Sequence, residues 1–109
     1  YLFWIIMITI VVPNFVIAST TVFPTEIADI PVGKWPNVIC INPKMDMIYV
    51  SDWGNNTVSV INGKNNSILK TIYVGRGPWG VCVDQNKNIV YVAVEGLNMV
   101  KVFRGFKAP

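Results

Sequence analysis

Ile30-Pro31-Val32-Gly33-Lys34-Trp35-Pro36 returns 42 residues later as Ile72-Tyr73-Val74-Gly75-Arg76-Gly77-Pro78. The same offset joins Cys40 to Cys82, Tyr49 to Tyr91, Val50 to Val92, Gly54 to Gly96 and Asn56 to Asn98, and it continues through Val58/Val100 and Val60/Val102. That makes 11 identities over the 32 ungapped positions 30–61. Other pairs keep their character, among them Lys34/Arg76, Ile39/Val81, Asn42/Asp84 and Ile48/Val90. A fixed period of this length marks one supersecondary unit copied along the chain.

Each unit holds short β-rich runs parted by turn-forming residues. Asn42-Pro43-Lys44, Asp52-Trp53-Gly54-Asn55-Asn56 and Asn62-Gly63-Lys64-Asn65-Asn66 separate the runs of the first unit. Strands are expected at 38–42, 46–51, 57–61 and 67–74, then at 80–84, 88–94 and 98–103, where the second unit stops. The first two runs are apolar on both faces, the third alternates, and the fourth carries Lys70 and Thr71. Burial that falls from first strand to last describes a β-propeller blade running from hub to rim, and propeller units repeat at about 40–45 residues. The expected fold is therefore all-β: two four-stranded antiparallel blades of an incomplete ring, behind an N-terminal hydrophobic helix. Glu26 to Val32 reads as an outer strand that, in a permuted ring, completes the last blade. Rings contain about four to eight blades. Further blades or other copies are needed to close one.

These units resemble the YVTN β-propeller repeat. The resemblance rests on Ile30 to Pro36, Ile48-Tyr49-Val50-Ser51 and Asn56-Thr57-Val58-Ser59-Val60-Ile61. The second copy contributes Val74 to Gly80, Val90-Tyr91-Val92-Ala93 and Asn98-Met99-Val100-Lys101-Val102. It implies a cell-surface or secreted repeat protein, while related propellers also include lactonase-like and lyase-like enzymes, so fold alone does not set function. The repeated residues have structural readings of their own. Gly33 and Gly75 sit at a crossing between blades where positive φ is useful, and Pro36 and Pro78 stiffen it. Tyr49 and Tyr91 place a ring between blades and keep a hydroxyl for a partner. Asn56 and Asn98 open the third strand from a turn that favours asparagine.

Glu26 is the first ionisable side chain. Before it, Leu2 to Val12 is apolar apart from Thr9, and Phe15-Val16-Ile17-Ala18-Ser19 offers small residues for cleavage before Ser19. Residues 1–25 are expected to be a signal peptide or, uncleaved, a transmembrane anchor; a buried helix is the third reading. Either of the first two places residues 26–109 outside the cytoplasm, secreted or at the cell surface. No basic n-region precedes the apolar run, and the sequence reads as partial. The net charge of +3 is confined to the C-terminal end, since six basic and six acidic residues balance between 26 and 100. A nucleic-acid partner needs a basic face against phosphates, and the repeats carry none.

The chain has no histidine, the commonest general base and metal ligand, and no cysteine cluster of metal spacing. No cofactor or metal site is expected. Cys40 and Cys82 read as small hydrophobes in buried strands rather than as a disulfide, because sheets about 10 Å apart exceed its Cα reach. Asp52, Asp84 and Glu95 fall in turns on the ends of blades, where acidic residues can line a ligand or calcium site. Asp52 and Glu95 are the best pair, because the offset sets Trp53 opposite Glu95. Trp35, Trp53 and Trp79 are candidate contact residues for a protein or glycan; packing between blades is the competing reading for Trp35 and Trp79. Asn55 and Asn65 head N-x-S/T sequons within turns. The expected function is a non-enzymatic scaffold, adhesion or recognition module. The alternative is part of an exported propeller enzyme whose catalytic residues lie in other blades.

Overall fold

The computed structural model describes residues 24–109. The signal-or-anchor expectation, and the N-terminal helix with it, falls on residues outside these, apart from 24 and 25. The described chain is all-β, as the repeat implies. A four-stranded antiparallel meander comprises β1 (Pro36–Asn42), β2 (Met47–Asp52), β3 (Thr57–Asn62) and β4 (Ser67–Tyr73). A second meander comprises β5 (Pro78–Asp84), β6 (Ile89–Val94) and β7 (Met99–Arg104), with a 3-10 turn at Glu95–Leu97. These are two propeller-like blades of an incomplete ring.

Strand pairing fixes which side chains share a face. In the first blade, Cys40, Tyr49 and Val60 form one row, and Val38, Ser51 and Val58 the next. These rows make the leading face, turned toward the second blade. Ile39, Val50 and Ser59, with Ile41, Ile48 and Ile61, make the trailing face. The core is the seam between blades: Met47, Tyr49, Val58 and Val60 meet Val81, Val90, Val92 and Val94. Thus the leading face of one blade packs on the trailing face of the next. Fully burying a Val side chain contributes about 1.5–3 kcal/mol, which makes this seam the main source of stability.

The crossing segments repeat the symmetry in their hydrogen bonds. Trp53 and Gly54 donate N–H to the carbonyls of Trp35 and Lys34, at 3.1 and 3.0 Å. One unit on, Glu95 and Gly96 donate to Gly77 and Arg76, at 3.0 and 2.9 Å. At the opposite end Gly63 and Gly105 donate to Asp46 and Asn88, at 2.7 and 2.8 Å. After Gly105 the units part. Phe106 donates its N–H to the Tyr49 hydroxyl at 2.9 Å, and Ala108 donates to the Met45 carbonyl at 3.0 Å. Residues 105–109 thereby strap the second blade to the first.

Three expectations are corrected. The second blade has three strands, because Glu26 to Val32 forms none. That segment lies beside the trailing face of the first blade, lining a pocket with Ile39, Val50 and Ile61, far from the open edge of β7. Burial does not fall steadily from hub to rim: β2 and β3 are buried while β1 leaves Ile39 63% and Ile41 58% exposed, although Val50 and Ile61 on the same face are buried beside residues 28–32. Gly33, unlike Gly75 at φ 109°, has no positive φ. Its role is close approach, for a Cβ there would lie 2.7 Å from the Asp52 side chain.

Candidate functional site

The tight turns that join β2 to β3 and β6 to β7 lie at the same end of the two blades, as the shared offset requires. Asn56 and Asn98 close these turns in left-handed backbone, φ 62° and 52°, a conformation asparagine tolerates. Between them opens a pocket of about 350 Å³ lined by Trp53, Arg76, Gly77, Glu95, Gly96 and Asn98. The Trp53 indole donates Nε1–H to Glu95 Oε1 at 3.3 Å. Its ring stacks on Trp35, with centroids 5.5 Å apart and planes at 28°. The floor is fixed by the Gly77 N–H, which donates to Asn56 Oδ1 at 3.1 Å. Arg76 reaches over the rim and donates from Nη2 to the Gly96 carbonyl at 3.4 Å.

Of the residues singled out from sequence, Trp35, Trp53 and Glu95 are brought together. Asp52 is not part of this pocket. It is the last residue of β2, fully buried, and its Oδ2 accepts from Ser59 Oγ at 2.6 Å and Thr57 Oγ1 at 3.2 Å, while Oδ1 has no partner. The reading of Asp52 as a turn residue is corrected, because pairing with Thr57 extends the ladder by one residue. Asp84 lies at the other end of the blade, where its Oδ1 caps the turn by accepting from the N–H groups of Asn86 and Lys87 at 3.0 and 3.1 Å. The acidic residues therefore do not converge. Among the described residues no three His, Cys, Asp or Glu side chains cluster as a metal site.

Trp79 stands apart, lining a shallow pocket with Ala93, Met99 and Val100 of the second blade. Trp35 and Trp79 are 66% and 57% exposed, so packing between these two blades does not account for either. Arg76, Gly77 and Asn98 were missed as site residues. Their signal was the offset itself, which aligns Arg76 with Lys34 and Asn98 with Asn56. Asn55 and Asn65 are exposed in turns at opposite ends of the blade, and Asn65 Oδ1 accepts from both Ser67 Oγ and its N–H, at 2.7 and 3.1 Å. Cys40 and Cys82 are both free thiols. Burial, with Cys82 as a second cause, pushes the Cys40 thiol up to about 11.

No protein-family description and no curated protein matches the chain. Among solved structures it is similar to a chain of Kuenenia stuttgartiensis hydrazine synthase, with 25% identity and a TM-score of 0.58. The likeness covers 63% of this chain and 20% of that one. The sequence thus spans about a fifth of the relative it resembles, and what the two share is the paired-blade fold.

Proposed function

We propose that this chain is a non-enzymatic recognition module, two YVTN-type blades of an exported or cell-surface propeller that present the Trp53 pocket to a glycan. One observation carries the reading: the Trp53 indole is held by Glu95 and stacked on Trp35 at the mouth of an open pocket, beside Arg76. An oriented aromatic with flanking charged donors and acceptors is the arrangement of a contact site. Stacked indoles offer a flat apolar surface to a sugar ring, and Glu95 and Arg76 can accept from and donate to its hydroxyls. The test is a screen of immobilised glycans followed by titration of tryptophan emission. A saturable emission change, weakened at least about tenfold by Trp53→Ala, which corresponds to roughly 1.4 kcal/mol, supports the reading. Binding unaffected by Trp53→Ala and Glu95→Gln counts against it.

A second reading, that the chain is a piece of an exported propeller enzyme, has its support in the likeness to part of hydrazine synthase. It requires catalytic groups from other blades. Turnover of esters or lactones by the full open reading frame, lost on changing residues outside this chain, would favour it.

A further inference from the structure

The two outer faces of this pair of blades are the two halves of the seam between them. The leading face of the second blade, Cys82, Tyr91, Val100 and Val102, corresponds by the 42-residue offset to Cys40, Tyr49, Val58 and Val60, which pack inside. The trailing face of the first blade, Ile39, Ile41, Ile48 and Val50, corresponds to Val81, Val83, Val90 and Val92 on the other side of the seam. Val100 and Val102 are 57% and 58% exposed, as are Ile39 and Ile41 to a similar degree. We propose that a second copy of this chain docks head to tail, its trailing face on the leading face of the first. This stands apart from the recognition reading, because it uses the blade faces and the offset alone.

The polar contacts across the internal seam can be carried forward one unit and checked. Trp53 donating to Glu95 is not repeated, because the single Nε1–H of each Trp53 is already given to Glu95 of its own chain. Lys44 donating to Asn86 becomes Asn86 accepting from Lys44 of the next copy. Asn56 Oδ1 accepting from Gly77 becomes Asn98 Oδ1 accepting from the N–H of Trp35, whose left-handed backbone matches that of Gly77. The Ser51 hydroxyl that donates to the Trp79 carbonyl has no counterpart, for Ala93 stands there. The Asn42–Asn88 bond becomes Asp84 facing Asp46, two carboxylates that oppose docking.

The segment 26–32 fits the same arrangement. Residues 26–32 lie beside the trailing face, above a pocket of about 430 Å³ lined by Ile39, Val50 and Ile61, the side to which Val100 and Val102 of another copy are assigned. In the first blade Ile72 faces Val58 and Lys70 faces Val60. The offset therefore sets Ile30 of the second copy opposite Val100, and Ala28 opposite Val102, as the fourth strand of β7. A seam with unlike sides is heterologous, and closes into a ring or grows as a filament.

The experiment uses the full 109-residue chain in mild detergent, with Cys40→Ser and Cys82→Ser as background. Ile30→Cys and Val100→Cys are added together, and the protein is oxidised. The expected result is a covalent ladder of whole-number multiples, which dilution weakens and neither single cysteine supports. A control pair, Ile30→Cys with Lys87→Cys in an exposed turn, should yield several-fold less. A second measurement leaves the native cysteines in place: Asp46→Asn with Asp84→Asn should raise the fraction of assembled protein in sedimentation velocity. Monomers alone, a disulfide closed within one chain, or equal yield from the control pair overturns the proposal. So does a double Asn variant that assembles no better than its parent.

Discussion

Trp35 and Gly77 occupy equivalent positions and share a left-handed backbone, φ 52° and 73°. For a residue with a Cβ that conformation costs about 1–2 kcal/mol, and a bulky aromatic there is an outlier. The stack on Trp53 returns about 0.5–1.5 kcal/mol beyond area burial. The two effects nearly offset, so Trp35→Gly should change stability in urea unfolding by less than about 1 kcal/mol, while removing one wall of the aromatic pair. A larger loss would show that Trp35 packs more firmly than its exposure implies. The sequence made the tryptophans visible but not their strain, since only alignment with Gly77 hints at the backbone. Asp52 was misread for a related reason. Asp-Trp-Gly-Asn-Asn reads as a turn from its first residue, yet the hydroxyls of Thr57 and Ser59 alternate on the face where a last strand residue would find them.

All seven strands begin and end within two residues of the positions read from the runs, because turn asparagines and glycines bracket them in both units; β1 and β5 depart most, each starting two residues early, at Pro36 and Pro78. The segment 26–32 shows why the reading failed elsewhere. The offset aligns it with β4, Ile30 on Ile72, but a strand exists only where an edge is available to pair with, and that is a property of the neighbours. The strap formed by residues 105–109 was equally invisible, because it lies beyond the repeated positions and depends on the Tyr49 hydroxyl across the seam. Ala108 is buried against the core. Ala108→Arg should therefore destabilise the chain by about 1–3 kcal/mol in chemical denaturation, whereas Lys107→Ala, at an exposed position, should leave it within about 0.5 kcal/mol.

For the molecule as a whole, the seam carries two acidic groups that burial holds in their neutral forms. Tyr49 is raised above its ordinary value by desolvation, despite the Phe106 N–H that favours its anion. Cys40 is raised from 9.0 to about 11. In the unfolded chain both lose their protons at lower pH, so the unfolded state binds fewer protons and stability falls as pH rises. The decline should begin near pH 9 and continue to about 11, the window set by Cys40. Melting temperatures followed by circular dichroism across that range should drop, and Cys40→Ser should flatten the first part of the curve. A flat profile in the parent would show that the seam opens to water without unfolding.

The turn at Asn62-Gly63 bears on how long the protein lasts. An Asn-Gly pair ages by attack of the glycine nitrogen on the asparagine side chain, which closes a cyclic imide and releases ammonia. Here the Gly63 N–H is engaged by the Asp46 carbonyl at 2.7 Å, and Asn62 Oδ1 accepts from Lys64 at 2.9 Å. A Cβ at residue 63 would lie 2.9 Å from that same Asp46 oxygen, so the packing that demands glycine also restrains its nitrogen. Deamidation at Asn62, read by peptide mass spectrometry, should be slow in the folded chain and fast in denaturant. Its accumulated extent then records the time the first blade has spent unfolded.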